Sequence, residues 1–83
     1  MNKAPKTYQH YRFTGQDPAV DAFRLARGTE AVSKIATESG VGAGTMYRWL
    51  NGKTRRPQLS TFAAVSAAMG YRGYDWRSRR LIK

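Results

Sequence analysis

Two stretches with the apolar spacing of helices are separated by a short break at Gly40-Val41-Gly42. The first stretch runs from Thr29, a predicted N-cap, to Ser39, and the second runs from Ala43 to Leu50. Gly40 can adopt a left-handed backbone at little steric cost, which allows a sharp turn between two helices. Because the chain has no cysteine, no disulfide can hold such short elements together, and they must pack against other helices.

Further helices are predicted on both sides of this pair. Asp17-Pro18 is typical of a helix start, since aspartate caps free amides and proline at the first position loses no hydrogen bond. That helix is predicted to end at Gly28 and to bury Val20, Phe23, Leu25 and Ala26. A last helix, from Gln58 to Met69, is predicted to bury Leu59, Phe62, Val65 and Met69 before Gly70 ends it. The expected fold is an all-α, compact bundle of four to five helices.

The chain is predicted to have three parts: an arm at residues 1–16, the helical domain at residues 17–70 and a tail at residues 71–83. The arm and the tail are rich in basic and aromatic residues without helical periodicity, and both are expected to be flexible. Two alternatives stay open for the arm, a short strand packed on the domain or a contact with a ligand. Four aromatic residues lie outside the predicted bundle, namely Tyr8, Tyr11, Tyr74 and Trp76. For these rings, packing on the protein or a dimer contact is favoured over stacking on single-stranded bases.

The chain carries 15 Lys and Arg residues against 5 Asp and Glu residues, a formal net charge of +10. Such an excess favours a polyanionic partner. Ten of the basic residues are arginines, whose planar guanidinium suits bidentate contacts to phosphate and guanine. Nucleic acid is therefore favoured over a membrane surface. The longest nearly apolar run, Phe62 to Met69, is too short to span a bilayer, and a cytoplasmic, nucleoid-associated location is expected.

The two stretches around the glycine break meet the steric demands of a helix-turn-helix, in which one helix holds another at a fixed angle to DNA. Ala36 is small where the helices would cross, and Gly40 suits the turn. The inward side is predicted to contain Ile35, Val41, Met46 and Trp49. Trp49 is expected to be a core residue and not a stacking platform.

The run from Ile35 to Lys53, continued through Arg56-Pro57 to Gly70, resembles the helix-turn-helix domain of the lambda-repressor-like family, which includes Cro and Xre-type regulators. The resemblance implies a bacterial or phage transcription regulator that binds a palindromic operator as a homodimer. The chain departs from the family at Ser39, where an apolar residue is usual. It also departs at Gly42-Ala43-Gly44, where longer polar side chains commonly contact bases.

Base contacts are predicted for the outward part of the second helix, namely Gly42, Ala43, Gly44, Thr45, Tyr47 and Arg48. The small residues allow close approach to the DNA backbone or a thymine methyl but offer few hydrogen bonds to bases. Arg48 could pair with guanine O6 and N7, although a phosphate contact or a solvated charge remains an equal alternative.

Phosphate contacts are predicted for Thr29, Ser33, Asn51, Lys53, Arg55 and Arg56. The basic loop with the amides of Asn51-Gly52 resembles the segment that grips phosphate in this family. For Thr29, helix capping explains the residue equally well. Two further basic clusters could follow phosphates or enter a minor groove, or could attract DNA without order; they are Lys3-Lys6 and Arg77-Arg79-Arg80.

No enzyme, cofactor, metal or small-molecule ligand is expected, because one histidine, His10, and scattered acidic residues form no catalytic constellation. The sequence favours a sequence-specific regulator of double-stranded DNA, a Cro-like or operon-autoregulating repressor with little chain outside its bundle. The alternatives are a module that binds RNA or a partner protein, and a non-specific DNA-packing protein.

Overall fold

The computed structural model describes residues 12–83. This part of the chain folds into helices α1 (Pro18–Arg27), α2 (Val32–Ser39), α3 (Ala43–Leu50) and α4 (Leu59–Ala68), followed by strands β1 (Gly73–Asp75) and β2 (Arg80–Ile82). The predicted, mostly helical architecture is confirmed. No helix within this range combines the length and apolar character that crossing a bilayer requires. The predictions made for Lys3, Lys6, Tyr8, His10 and Tyr11 lie outside the described residues.

Helix α1 begins and ends where the sequence predicts. The Asp17 side chain accepts a hydrogen bond from the Ala19 amide at 2.9 Å, and Gly28 ends the helix at a φ of 56°. The prediction that Leu25 is buried is wrong, since it is 84% exposed. Leu25 lies two residues after the buried Phe23, about 200° around the helix axis, and therefore faces solvent.

Helix α2 begins later than predicted. Thr29 is not its cap, because Ala31 occupies that position with an extended backbone and no side-chain hydrogen bond. The residues after Gly28 form a turn instead, closed by a 2.9 Å hydrogen bond from the Glu30 amide to the Arg27 carbonyl. Thr29 and Glu30, which were predicted to start the helix, therefore belong to this turn.

The junction between α2 and α3 follows the predicted glycine break. Gly40 has a left-handed φ of 76°, and its amide donates to the Ala36 carbonyl at 2.9 Å. The Ser39 hydroxyl accepts a 3.1 Å hydrogen bond from the Val41 amide. The polar residue at position 39 therefore satisfies a backbone donor in the turn, which an apolar side chain could not do.

A chain of aromatic rings runs through the core from α1 to the C-terminal hairpin. Trp49 is 1% exposed, which confirms its predicted core position. Its ring lies 5.2 Å from that of Phe23 in an edge-to-face arrangement and 5.6 Å from that of Phe62. Phe62 in turn contacts the rings of Tyr74 at 5.1 Å and Trp76 at 5.7 Å. Such pairs add to the burial of apolar surface.

The prediction for α4 is correct except at its first turn. Phe62 and Val65 are fully buried, and Met69 packs against the core. Leu59 was predicted to be buried, but it is 57% exposed. It is the first residue of α4, and its neighbours Gln58 and Ser60 are exposed as well, so this end of the helix lies at the protein surface.

The prediction of an all-α fold with a flexible tail is wrong for residues 71–83. Strands β1 and β2 pair antiparallel, with Tyr74 opposite Leu81. Tyr74 is only 8% exposed because its ring packs on Phe62, and Trp76 packs beside it at 4.7 Å. The aromatic residues that interrupt helical periodicity in the tail are the residues that attach the hairpin to the bundle.

The Tyr74 hydroxyl is buried and has no hydrogen-bond partner among the described residues. Burial, and secondarily the charge of Asp17, raises the pKa of Tyr74 above its ordinary value. Tyr74→Phe should therefore increase the free energy of unfolding by about 1 kcal/mol, since an unsatisfied buried polar group is removed. Thermal unfolding should show a midpoint about 4–8 °C higher. A lower midpoint would mean that the hydroxyl is hydrogen-bonded in solution.

Candidate nucleic-acid interface

Helix α3 has one buried side and one exposed side. Met46 is fully buried and Trp49 is 1% exposed, and together they fix the rotation of the helix about its axis. On the opposite side, Tyr47 is 50% exposed and Arg48 is exposed. Thr45 is half-buried and lies one turn before Trp49, at the edge of the buried side. Tyr47 and Arg48 therefore share one accessible surface, and Thr45 lies next to Arg48 at its edge.

The first turn of α3 has little side-chain cover. Gly42 is the N-cap residue, and no side chain donates or accepts a capping hydrogen bond there. A Cβ atom built on Gly42 or Gly44 would meet no atom within 4 Å. Ala43 differs from its neighbours because it is half-buried and packs against the core. Gly42 and Gly44 are therefore the more accessible residues of the predicted base-contacting turn.

A surface groove of about 370 Å³ lies beside α3. It is lined by Thr45, Arg48, Trp49, Thr54, Arg56, Pro57, Gln58 and Thr61. The Arg48 side chain crosses part of it, with its Nη2 3.4 Å from the Thr45 hydroxyl. Thr45 and Arg48 of α3 and the first turn of α4 therefore line the same concavity, which contains two guanidinium groups and no carboxylate.

Three polar lining residues of this groove were not predicted as site residues, namely Thr54, Gln58 and Thr61. Gln58 is the N-cap residue of α4, although its side chain makes no capping bond to the backbone. Its amide oxygen instead lies 3.4 Å from the Thr61 hydroxyl. The sequence did contain one signal for Gln58, since it is a polar residue directly after Pro57 at a predicted helix start. Its position next to α3, however, results from the packing of α4 against the bundle, which the sequence does not show.

The basic loop after α3 exposes Arg55 and Arg56, whereas Lys53 is half-buried and bonded within the fold. The amides of Asn51 and Gly52 were predicted to contact phosphate. They donate instead to the carbonyls of Tyr47 and Trp49, at 2.9 Å and 3.3 Å, within the end of α3. The exposed side chain of Asn51 is what this residue can offer to a ligand.

The C-terminal end of α3 is held by side chains that sequence reasoning missed. Gln16 donates to the carbonyls of Trp49 at 2.9 Å and Thr54 at 2.7 Å, and Arg24 donates to the Leu50 carbonyl at 3.0 Å. A cation at this end also complements the helix dipole. These bonds fix both α3 and the start of the basic loop relative to α1.

Two residues before Gln16 also contact the end of α3, namely Arg12 and Phe13. Arg12 donates to the Asn51 carbonyl at 2.9 Å, and the Phe13 amide donates to the Gly52 carbonyl at 2.8 Å. A Cβ atom on Gly52 would lie 3.3 Å from the Cβ of Arg12, and Gly52 has a left-handed φ of 76°. The tight approach of the two chain segments therefore depends on glycine at position 52.

The hairpin brings its turn next to the basic loop. The Arg56 guanidinium carbon lies 4.8 Å from the centre of the Trp76 ring, within the range of a cation–π contact. In the turn, hydrogen bonds from the Arg77 amide and from Ser78 hold the pKa of the Asp75 carboxyl below its ordinary value. The predicted cluster Arg77-Arg79-Arg80 is exposed on this turn and the start of β2.

The remaining predicted phosphate ligands lie at the start of α2. Ser33 is exposed in the first turn of this helix, and Thr29 is exposed in the preceding turn. Ala31, the residue before α2, provides no side-chain cap. Ser33 therefore remains a candidate at an accessible helix start, whereas Thr29 lies outside the helix.

Comparison with known proteins identifies no relative. No family model matches the chain. No curated protein and no solved structure matches it either. The function must therefore be inferred from the chemistry of the surfaces described above.

Proposed function

We propose that this protein is a small sequence-specific regulator that binds double-stranded DNA. In this proposal, α2, the turn at Gly40 and α3 form a helix-turn-helix of the lambda-repressor-like kind, and α3 enters the major groove. The observation that carries the proposal is the exposed face of α3, with Tyr47 and Arg48, next to a groove that is lined by Thr45, Arg48 and a second arginine, Arg56. The net charge of +10 supports a polyanionic partner.

The proposed mechanism assigns reading and positioning to different residues. Arg48 pairs with a guanine through O6 and N7, while Tyr47 and Thr45 contact neighbouring base edges or methyl groups. Gly42 and Gly44 lack side chains, so the start of α3 can approach the DNA closely. Few side chains then carry the sequence preference, and contacts to phosphate set the register of α3 in the groove.

Phosphate contacts are assigned to the loop after α3, where Arg55 and Arg56 are exposed, and to Ser33 at the start of α2. Gln16 donates hydrogen bonds both to the end of α3 and to the loop, which fixes the loop relative to α3, so that a phosphate held by the loop sets the depth of α3. The protein would bind a palindromic operator as a homodimer and repress by occupying a promoter.

The experiment that tests this proposal is selection of purified protein on a random duplex library at near-physiological salt, with sequencing of the bound pool. An enriched inverted repeat, bound in the presence of excess RNA, would support a dimeric regulator. Tight, salt-sensitive binding without enrichment would favour a non-specific DNA-packing protein. Loss of duplex binding in the presence of excess RNA would favour an RNA-binding module.

The double variant Arg55→Ala with Arg56→Ala should weaken binding to every duplex by a similar factor. Loss of two phosphate contacts should reduce the slope of log K against log salt concentration by about 1.8, at roughly 0.9 for each contact. Affinity titrations at several salt concentrations give this slope. The matched control is Arg72→Ala with Lys83→Ala, an equal loss of charge at the open end of the hairpin. Equal slopes for both double variants would remove the loop from the phosphate footprint.

A further inference from the structure

A second concave surface lies on the other side of the basic loop, where the loop meets the start of α1 and the hairpin turn. Its volume is about 280 Å³, and it is lined by Gly15, Gln16, Asp17, Pro18, Arg55, Arg56 and Arg79. Three guanidinium groups therefore share this cavity with a single carboxylate. The excess of positive charge fits an anion and excludes a cation as the ligand.

Asp17 orients two of these arginines without saturating them. One oxygen of its carboxylate caps α1, while the other lies 3.7 Å from Arg56 Nε and 3.6 Å from Arg79 Nη1. Both distances exceed the length of a good hydrogen bond, so the N–H groups retain capacity to donate. The Asp17 side chain is 13% exposed, whereas those of Arg56 and Arg79 are 58% and 52% exposed. The cations thus face solvent and the carboxylate lies behind them.

The hairpin turn is what brings Arg79 to this cavity. Arg79 has a left-handed φ of 63°, the one non-glycine residue of the described chain with this conformation, and its amide donates to the Asp75 carbonyl at 2.6 Å. A left-handed backbone costs free energy for a residue with a Cβ atom. The turn therefore holds the guanidinium of Arg79 toward Asp17 and away from the open end of the hairpin.

The cavity and the groove beside α3 are neighbours on the surface, since Arg56 lines both. An extended anion that lies along α3 and passes Arg56 therefore enters the cavity next. A phosphodiester strand is such an anion, since its charges repeat along its length. A free phosphate ion would need only one of the two concavities.

We propose that this cavity binds the DNA backbone, with Arg79 of the hairpin as the ligand of one phosphate and Arg55 and Arg56 of the loop as ligands of the phosphates next to it. The inference rests on the proposed function, since it extends the footprint of the same duplex. The hairpin is then part of the DNA-binding surface in addition to covering the core.

The test compares Arg79→Gln with Arg77→Gln on a duplex enriched by selection. Arg77 is exposed in the same turn but does not line the cavity, so the two variants lose equal charge from neighbouring positions. Arg79→Gln should weaken binding about five- to tenfold at ~0.1 M salt and lower the salt slope by about 0.9. Arg77→Gln should change either quantity by much less, and Arg79→Lys should restore the slope. Thermal unfolding monitored by circular dichroism checks that each variant is folded.

Ethylation interference locates the contact on the DNA. A phosphate whose ethylation blocks the wild-type protein should cease to interfere with Arg79→Gln while the other interference sites persist. Equal losses for Arg77→Gln and Arg79→Gln would overturn the site in favour of general electrostatic attraction. If the wild type and Arg79→Gln bind the duplex equally well, the phosphate site in the cavity is overturned and the proposed function is not. If the wild type binds no duplex at all, the proposed function is overturned as well. A further arm repeats both titrations in millimolar inorganic phosphate. If the affinity difference between the wild type and Arg79→Gln then disappears while both still bind the duplex, the cavity is a site for a free anion instead.

Discussion

Trp49→Ala should destabilise the domain by about 3–5 kcal/mol, the usual cost of removing a large buried aromatic side chain. Trp49 contacts both Phe23 and Phe62, so its loss opens a cavity in the middle of the ring chain and separates α1 from α4. Small domains have a total free energy of unfolding of about 5–15 kcal/mol, and a large part of it would be lost. Urea unfolding followed by far-ultraviolet circular dichroism measures the change.

Tyr47→Ala is the matched control for this prediction, because it removes another aromatic residue from the same helix. Tyr47 is half exposed, so the free energy of unfolding should change by about 0.5 kcal/mol or less. Similar destabilisation by the two substitutions would contradict the rotation of α3 described above, since both side chains would then have to be buried.

Arg48→Ala should abolish much of the preference for the selected duplex over a scrambled one. A bidentate contact from arginine to guanine contributes about 1–3 kcal/mol of discrimination, which corresponds to roughly a 5- to 150-fold change in the ratio of the two dissociation constants. Arg48 is exposed, and within residues 12–83 the hydrogen bond of its side chain is the one to the Thr45 hydroxyl at 3.4 Å, so its release for base pairing costs little. Titration of both duplexes with both proteins measures the ratio.

Arg55→Ala serves as the comparison for Arg48→Ala, since it removes the same charge from the adjacent loop. It should weaken both duplexes by the same factor and leave their ratio unchanged. If Arg48→Ala behaves in the same way, Arg48 contacts phosphate, and base reading must be assigned to other residues of α3.

The helical part of the fold was predictable because its signals are local. Asp17-Pro18 begins α1, and the left-handed Gly40 separates α2 from α3, as expected from the preferences of these residue types. Periodicity also identified Met46 and Trp49 as the buried side of α3. The error at Leu25 arose because it lies about 200° around the axis of α1 from the buried Phe23, and the error at Leu59 arose because the start of α4 lies at the protein surface.

The hairpin could not be predicted with the same means. Its strands have three residues each, too few for an alternating pattern to differ from an irregular segment. What stabilises it is a tertiary contact, the packing of Tyr74 and Trp76 on Phe62 of α4. Aromatic residues in the tail indicated packing as one alternative, but no sequence signal specified the partner.

The candidate site was predictable where it lies on one helix and not where it joins distant segments. The outward residues of α3 follow from its periodicity, and the exposed basic loop follows from its composition. By contrast, Gln16 reaches the Trp49 carbonyl across 33 residues, and Arg79 reaches Asp17 from the far end of the chain. Such contacts depend on the assembled fold, since no local rule relates residues so far apart.

The division of α3 into a buried and an exposed side also bears on how such a protein can diversify. Met46 and Trp49 hold the scaffold, while Tyr47 and Arg48 contribute little to the core. Substitutions at the exposed positions therefore change the free energy of unfolding little. A lineage could acquire a new ligand preference through them without first acquiring compensating mutations in the core. Evolvability of this kind arises because Met46 and Trp49 fix the helix through its buried side, so that the exposed positions can change without loss of the core.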